Sequence, residues 1–586
     1  MMRRALELGV DLAGGLGKQK KAPAEHDQIA SAHTPGGGHG KHLGDMEQWR
    51  RQLGNPDGPH KEEEPQNECQ GKSDRSCALL IFGVKPAHKD GNEDDIVDPE
   101  YDLQYGERKK GDHAVGGEEC FHGCKSKFVL MTFISIDPST EKSVAEFPEQ
   151  TPNDVARIIA LAAEAQQAWS QLSIADRVSV VVRLADVLDE SRDTAAQQIT
   201  LEMGKPLSQA RAEVEKCAAV CRYMATIAPS VLADEVINAG FRESRVRAEP
   251  LGLILSIMPW NFPMWQFFRF AAPALIAGNG VLLKHAPSTM GCALMAVDLC
   301  RKAGIPDGLV SALFIDIPQV ESVIAHPLVA AVTFTGSTKG GRSVAEMAGR
   351  YIKRTVLELG GSDAYVVLDD ADLDVAVNAC VTGRLLNAGQ SCIGAKRYLV
   401  HSSVHDEFVE RTAYRFDAAV IGHPMEAATE VGPLARADLR QTLLDQVSHS
   451  LMKGARLATR RSQDDVPSTG WYVPPMLLVD VDSSNPAFRE ELFGPVATVT
   501  RFDSDAEAVR LANDSIYGLG AAVFSKDHDR ARSIADQLHV GTVFINDFVR
   551  SHSALPFGGV KQSGYGRELG RWGMLEFVNV KNITTG

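Results

Sequence analysis

The run Leu251-Gly252-Leu253-Ile254-Leu255-Ser256-Ile257-Met258, stopped at once by Pro259-Trp260-Asn261-Phe262-Pro263, reads as a strand buried on both faces that ends in a polar turn. Working outward, Gly280 to Leu283 and Ala330 to Phe334 are similar short apolar runs, and Met290 to Ala303 between them has the spacing of an amphipathic helix. Strands alternating with helices in this way predict a parallel α/β sheet. A second series follows Glu358, with strands near Ala364 to Leu368, Arg397 to Val400 and Ala497 to Arg501. Upstream, Thr151 is a helix N-cap, Pro152 suits the first turn, and helical spacing continues to about Ile227. Arg242 to Arg247 alternates like a strand. No internal repeat is visible.

At 586 residues the chain exceeds the size at which a single core stops growing, so two or more domains are expected. Its 44% apolar and 23% charged residues suit a globular protein with a large core. A formal net charge of -15 argues against nucleic acid or an anionic membrane as partner, and leaves a small anionic substrate open. No apolar stretch is long enough to span a bilayer. Met1-Met2-Arg3-Arg4 is followed by Glu7 and Asp11 rather than by an apolar targeting segment. Ten cysteines without regular spacing fit a reducing cytoplasm. Residues 1–130 lack periodicity and read as a disordered extension, with Met131-Thr132-Phe133 opening the patterned region as a start codon would. Cys120, His122 and Cys124 have no second ligand pair, so no metal site is expected.

Chemistry is concentrated in two segments. Cys392 lies in the turn Asn387-Ala388-Gly389-Gln390-Ser391-Cys392, and Glu358 lies in Leu357-Glu358-Leu359-Gly360-Gly361. A thiol on a turn and a carboxylate beside a glycine pair suit attack on a carbonyl followed by activation of water. Each alone is commonly a buried small residue or a solvated surface charge. Gly336-Ser337-Thr338-Lys339-Gly340-Gly341 opens a helix after a strand, without a G-x-G-x-x-G fingerprint. Its small residues either admit a diphosphate to the helix N-terminus or form an ordinary serine-capped turn. Lys284, ending a strand, is either a partner for ribose hydroxyls or a surface lysine.

In this order, Pro259-Trp260-Asn261-Phe262-Pro263, Lys284, Phe334-Thr335-Gly336-Ser337-Thr338, the Glu358 and Cys392 segments, Glu491-Leu492-Phe493-Gly494-Pro495 and Pro556-Phe557-Gly558-Gly559 resemble the aldehyde dehydrogenase superfamily from about Met131 onward. Leu283-Lys284-His285-Ala286-Pro287, Gly360-Gly361-Ser362-Asp363 and Ala395-Lys396-Arg397 look like its bacterial succinate-semialdehyde dehydrogenase branch. The resemblance implies an aldehyde dehydrogenase-like α/β fold of two parallel-sheet domains plus a small β oligomerisation element. Residues 131–233 and 250–357 would form the cofactor domain, 358–559 the catalytic domain, and 234–249 with 560–586 the oligomerisation element of a cytoplasmic homodimer or homotetramer.

The implied activity is NAD- or NADP-dependent, non-acylating oxidation of an aldehyde, with succinic semialdehyde as substrate. Cys392 would be the nucleophile, forming a thiohemiacetal and then a thioester. Asn261 and the Cys392 backbone N–H would hold the oxyanion, and Glu358 would activate the hydrolytic water, a role that coenzyme A-acylating relatives lack. Trp260, Lys284, Gly336, Ser337, Glu491 and Phe493 would hold the cofactor. Pro287 stands where NAD-preferring relatives carry a glutamate, which admits the 2′-phosphate of NADP. Arg269 occupies the position of an arginine directed at the substrate carboxylate, or is an ordinary helix ion pair. A second such arginine in some relatives falls here at Leu386, with Arg384 nearby; Arg550 and Ser551 are further candidates. Two other readings stand beside this one: an enzyme for another aldehyde, and a catalytically silent binding protein of the same fold.

Overall fold

The computed structural model describes residues 132–586. The extension read at 1–130, with Cys120, His122 and Cys124, lies outside the described residues. Leu253–Met258 is buried along its whole length because it is an inner strand of a six-stranded sheet. From edge to edge that sheet runs Gly564–Tyr565, Arg354–Glu358, Val329–Thr335, Leu253–Met258, Gly280–His285 and Val310–Ala312. Neighbours are parallel, and Ile257 stands level with both Lys284 and Phe334. The expected strands at 280 and 330 run on to His285 and Thr335. Their added polar residues sit at the carboxyl ends of the strands, where ligands bind in open α/β sheets. The antiparallel member is Gly564–Tyr565, which pairs Gly564 with Glu358 and so draws a late segment of chain to the end of that strand.

A second sheet has seven strands, in the order Arg456–Leu457, Met476–Val479, Val496–Phe502, Ala395–His401, Asp363–Val367, Gly520–Phe524 and Thr542–Ile545. All its pairings are parallel except that of the Arg456–Leu457 edge. The Cys392 turn leads directly into its Ala395–His401 strand. A third, antiparallel sheet joins Glu235–Val236, Glu243–Pro250 and Val578–Thr585, the latter two paired from Val578 opposite Pro250 to Thr585 opposite Glu243. A hairpin of Thr132–Asp137 with Lys142–Pro148, whose Phe133 and Phe147 pack on Met290, is not evident in the sequence.

Thr151 and Asp154 form a reciprocal capping box at the start of the Pro152–Ser170 helix. Three more helices follow, Ile174–Glu190, Arg192–Met203 and Leu207–Val231. The first and third of these pack against the helix Trp265–Ile276, every residue of which is buried, and Arg192–Met203 packs on the third. A helix sealed from water must find partners for its terminal backbone groups inside the protein. Glu213 accepts hydrogen bonds from the Met264 and Trp265 N–H groups at 2.9 and 3.0 Å, placing negative charge at the positive helix end. At the other end the Trp169 indole donates to the Leu275 carbonyl at 2.8 Å and Arg177 to that of Ile276 at 2.7 Å. The helix is thereby fixed at both ends, and it carries Gln266 and Arg269 into the site. Among the described residues no helix is long and apolar enough to cross a membrane.

Candidate active site

Three successive residues before Cys392 have left-handed backbones: Asn387 at φ 58, Ala388 at φ 50 and Gly389 at φ 73. Such conformations cost about 1–3 kcal/mol each for residues other than glycine and persist only where surrounding contacts impose them. Those contacts are present. Asn387 Nδ2 donates to the Asn261 carbonyl at 2.7 Å and to the Gln390 carbonyl at 3.1 Å. The fully buried Arg384 holds the Gly389 carbonyl, and burial lowers its guanidinium to about 10. Arg384 is therefore a buttress of the turn and does not line the cavity that reaches Cys392. Lys396 Nζ donates to the Ser391 and Cys392 carbonyls at 3.0 and 2.7 Å. Asn261 Nδ2 donates to the Gln390 carbonyl at 3.0 Å, while Gln266 fixes its Oδ1 at 3.0 Å. One Asn261 amide proton thus remains for a ligand. Burial pushes the Cys392 thiol up to about 12, against the opposing pull of Arg269 and Lys396.

Glu358 is buried, and both carboxylate oxygens are without a hydrogen-bond partner. Burial first, and then the neighbouring Glu568, hold its carboxyl well above the usual range. Gly558, at φ 153, makes room for it: a Cβ there would lie 2.6 Å from Glu358 Oε1. Phe557 and Glu568 exchange backbone hydrogen bonds at 2.7 and 2.8 Å, which sets Glu568 beside this pocket. Its carboxylate forms a buried ion pair with Arg269, both side chains about as sequestered as the core, at 2% and 3% exposed. Arg269 also donates to Thr335 Oγ1 at 3.2 Å and lies over the Phe557 ring. Of the two sequence readings of Arg269, the structure displays an ion pair, buried rather than on the surface.

A cavity of about 150 Å³ opens onto the thiol, with Cys392, Arg269, Ser551, Arg550 and Leu386 in its wall. Lys216 and Glu213 line it as well, from the Leu207–Val231 helix. Reasoning from sequence missed both, and Glu568 too. Arg550 is exposed and paired with Asp547 at 2.8 Å.

The residues assigned to a dinucleotide gather at the carboxyl ends of the six-stranded sheet. Lys284 is buried with no carboxylate in ion-pair range, and desolvation lowers its pKa while Asp316 opposes this. Ser337 caps the Thr338–Arg350 helix through the Gly340 N–H at 3.1 Å, and that helix end is exposed. Glu491 accepts from the Gly361 N–H at 3.0 Å, and a side chain at Gly360 would collide with its carboxylate. Trp260 and Phe493 meet edge to face at 5.7 Å. A buried ammonium lacking a partner, an open helix N-terminus and an oriented carboxylate fit the phosphates and ribose hydroxyls of a nicotinamide dinucleotide. Pro287 is exposed at the start of the turn beyond Lys284. Among the described residues no group of His, Cys, Asp or Glu is placed to hold a metal ion.

This arrangement on two parallel sheets has close counterparts. The sequence profile of the aldehyde dehydrogenase family matches residues 129–583, and the chain belongs to that family. A Deinococcus radiodurans protein named succinate-semialdehyde dehydrogenase, NADP(+), is 45% identical over 451 residues, covering 77% of this chain and 94% of the relative. An Escherichia coli succinate semialdehyde dehydrogenase, NAD(P)+, is 42% identical over 450 residues, covering 77% and 97%. The crystal structure of succinic semialdehyde dehydrogenase from Streptococcus pyogenes in complex with NADP+ superimposes with a TM-score of 0.75 at 36% identity, covering 77% of this chain and 99% of that one.

Proposed function

We propose that this protein oxidises succinic semialdehyde to succinate, with NADP or NAD as hydride acceptor, through a covalent thioester on Cys392. The observation that carries the reading is that Cys392 shares one cavity with Lys216 and Ser551, beside the ion-paired Arg269, so that a short aldehyde bearing a carboxylate would meet the nucleophile at one end and positive charge at the other. The Deinococcus and Escherichia coli relatives support it by their names.

The Cys392 thiol must lose its proton before attack, and Arg269 and Lys396 favour the thiolate. Addition to the aldehyde carbon places negative charge on oxygen. The free Asn261 amide proton and the Cys392 N–H receive it. The nicotinamide, when bound at Lys284, Ser337, Glu491 and Phe493, supplies the hydride acceptor. Glu358 then takes a proton from the water that hydrolyses the thioester, and its buried carboxylate is a strong base once ionised. On this reading residues 131–233 and 250–357 form the cofactor domain and 358–559 the catalytic domain. The third sheet, with its exposed Val236 and Val580 and with the exposed Phe241 in the connection between its first two strands, supports an oligomerisation element at 234–249 and 560–586, in a homodimer or homotetramer. The free cysteines are consistent with a cytoplasmic location.

The test is a panel of aldehydes, with and without a terminal carboxylate, assayed with each cofactor. Succinic semialdehyde is expected to give the highest kcat/KM. Butanal or an aromatic aldehyde exceeding it would remove the substrate assignment.

A further inference from the structure

We propose that Lys216 is the residue that pairs with the substrate's carboxylate, and that it sets the preference for carboxylated over neutral aldehydes. The proposal rests on the function proposed above and specifies how the cavity achieves it.

The cavity wall contains three cations, Lys216, Arg269 and Arg550. Two already have carboxylates: Arg269 is paired with Glu568, and Arg550 with Asp547. If Arg269 turned to a substrate, Glu568 would be left buried beside Glu358 without its counter-ion, and a buried ion pair would be broken. Lys216 has no such commitment. Its Nζ donates to Ser551 Oγ at 2.7 Å and lies 4.2 Å from the centre of the Trp265 ring, with no carboxylate in ion-pair range. An ammonium has three N–H donors. One is used by Ser551 and one faces the indole, so a third is left for a ligand.

The obvious counter-ion is unavailable. Glu213 stands one turn before Lys216 on the same helix, but its carboxylate is held by Lys205 and by the Met264 and Trp265 N–H groups. Ser551 accepts from Lys216, which leaves its own hydroxyl proton free. Lys216 and Ser551 together therefore offer a carboxylate two donors without moving any buried charge. A solvent-poor ammonium of this kind gains most from an anionic partner.

The electrostatics agree. Burial, and then Arg269, lower the Lys216 ammonium to about 8. The charged or titratable groups facing it are Glu213 and Cys217 on its own helix, Lys205 before that helix, and Arg269 on the Trp265–Ile276 helix; Arg550, with Asp547, lies in the loop carrying Ser551. A substrate carboxylate favours the charged form, so binding in the free enzyme weakens as pH rises through about 8.

The experiment measures kcat/KM for succinic semialdehyde and for butanal, with NADP, in wild type, Lys216→Met and Lys216→Arg. Wild type reports on the function itself: if it does not prefer succinic semialdehyde, that assignment fails before Lys216 is judged. Given the preference, the ratio of the two kcat/KM values is expected to fall by about tenfold or more in Lys216→Met, and to be largely kept in Lys216→Arg. In wild type the same ratio should decline between pH 7 and pH 9, at about pH 8; this needs no variant to fold, and the titrations of Cys392 and Glu358 cancel in it. A preference undiminished in Lys216→Met, or a ratio constant across that pH range, would overturn the proposal.

Discussion

Replacing Asn261 with alanine separates transition-state stabilisation from structure. The asparagine amide donates one proton to the Gln390 carbonyl and receives Gln266 on its oxygen. After the change, the Gln390 carbonyl still accepts from Asn387 Nδ2 at 3.1 Å. The chief structural loss is the Gln266 partner, one neutral hydrogen bond of about 1 kcal/mol. Loss of an oxyanion donor costs about 2.7–4 kcal/mol in barrier, a fall in kcat of roughly 10²- to 10³-fold. The two effects differ enough to be told apart by experiment. Steady-state kinetics should show the loss mainly in kcat, with KM little altered, because the oxyanion exists only beyond the ground state. Calorimetry should show a melting temperature lowered by only a few degrees. A fall in kcat of less than about tenfold, or a loss carried wholly by KM, would refute the oxyanion role.

Glu358→Gln should still form the thioester and then stall, giving a burst of reduced nicotinamide of about one per active site and a slow phase thereafter. Because burial and Glu568 raise the Glu358 carboxyl, its ionised fraction grows as pH rises, so wild-type deacylation should accelerate with pH until that raised pKa is passed, while the glutamine variant stays flat. Steady turnover of the variant without a burst would assign the water to another base. Pro287→Glu should shift preference toward NAD, since a carboxylate there accepts ribose hydroxyls and repels a 2′-phosphate; equal changes in kcat/KM for both cofactors would show that position 287 does not face the ribose.

What the sequence could reveal depended on whether the cause was local. Leu253–Met258 is an inner strand of its sheet and shows in the sequence as a nearly continuous apolar run; Ala395–His401 is equally buried but carries Lys396 and Arg397, so only its Tyr398-Leu399-Val400 part is visible in that way. The Thr151 and Ser337 caps are equally local. The Thr132–Pro148 hairpin is covered on one side by few residues and leaves little periodic trace. Glu213 and Lys216, three apart on a helix, resemble an ordinary surface pair. Only the fold shows that Lys205 takes the glutamate and leaves the lysine to the cavity. Arg269 was legible as a candidate, but its partner Glu568 lies far along the chain with no pattern linking them. Arg384, near the expected second arginine, proves to be wholly interior, a fate its charge disguises.

The pairing of Gly564–Tyr565 with the strand ending in Glu358, and the grip of Glu568 on Arg269, also have a temporal meaning. Ribosomes deliver the thiol at 392 long before the segment from Phe557 to Glu568 exists. Until that segment emerges, the helix that carries Arg269 lacks its counter-charge, and the pocket holding Glu358 has an open side. Asn261, Glu358, Cys392 and Glu491 are therefore all synthesised before the segment that closes the pocket around Glu358. The wall around Glu358 is thus one of the last parts of the fold to be made.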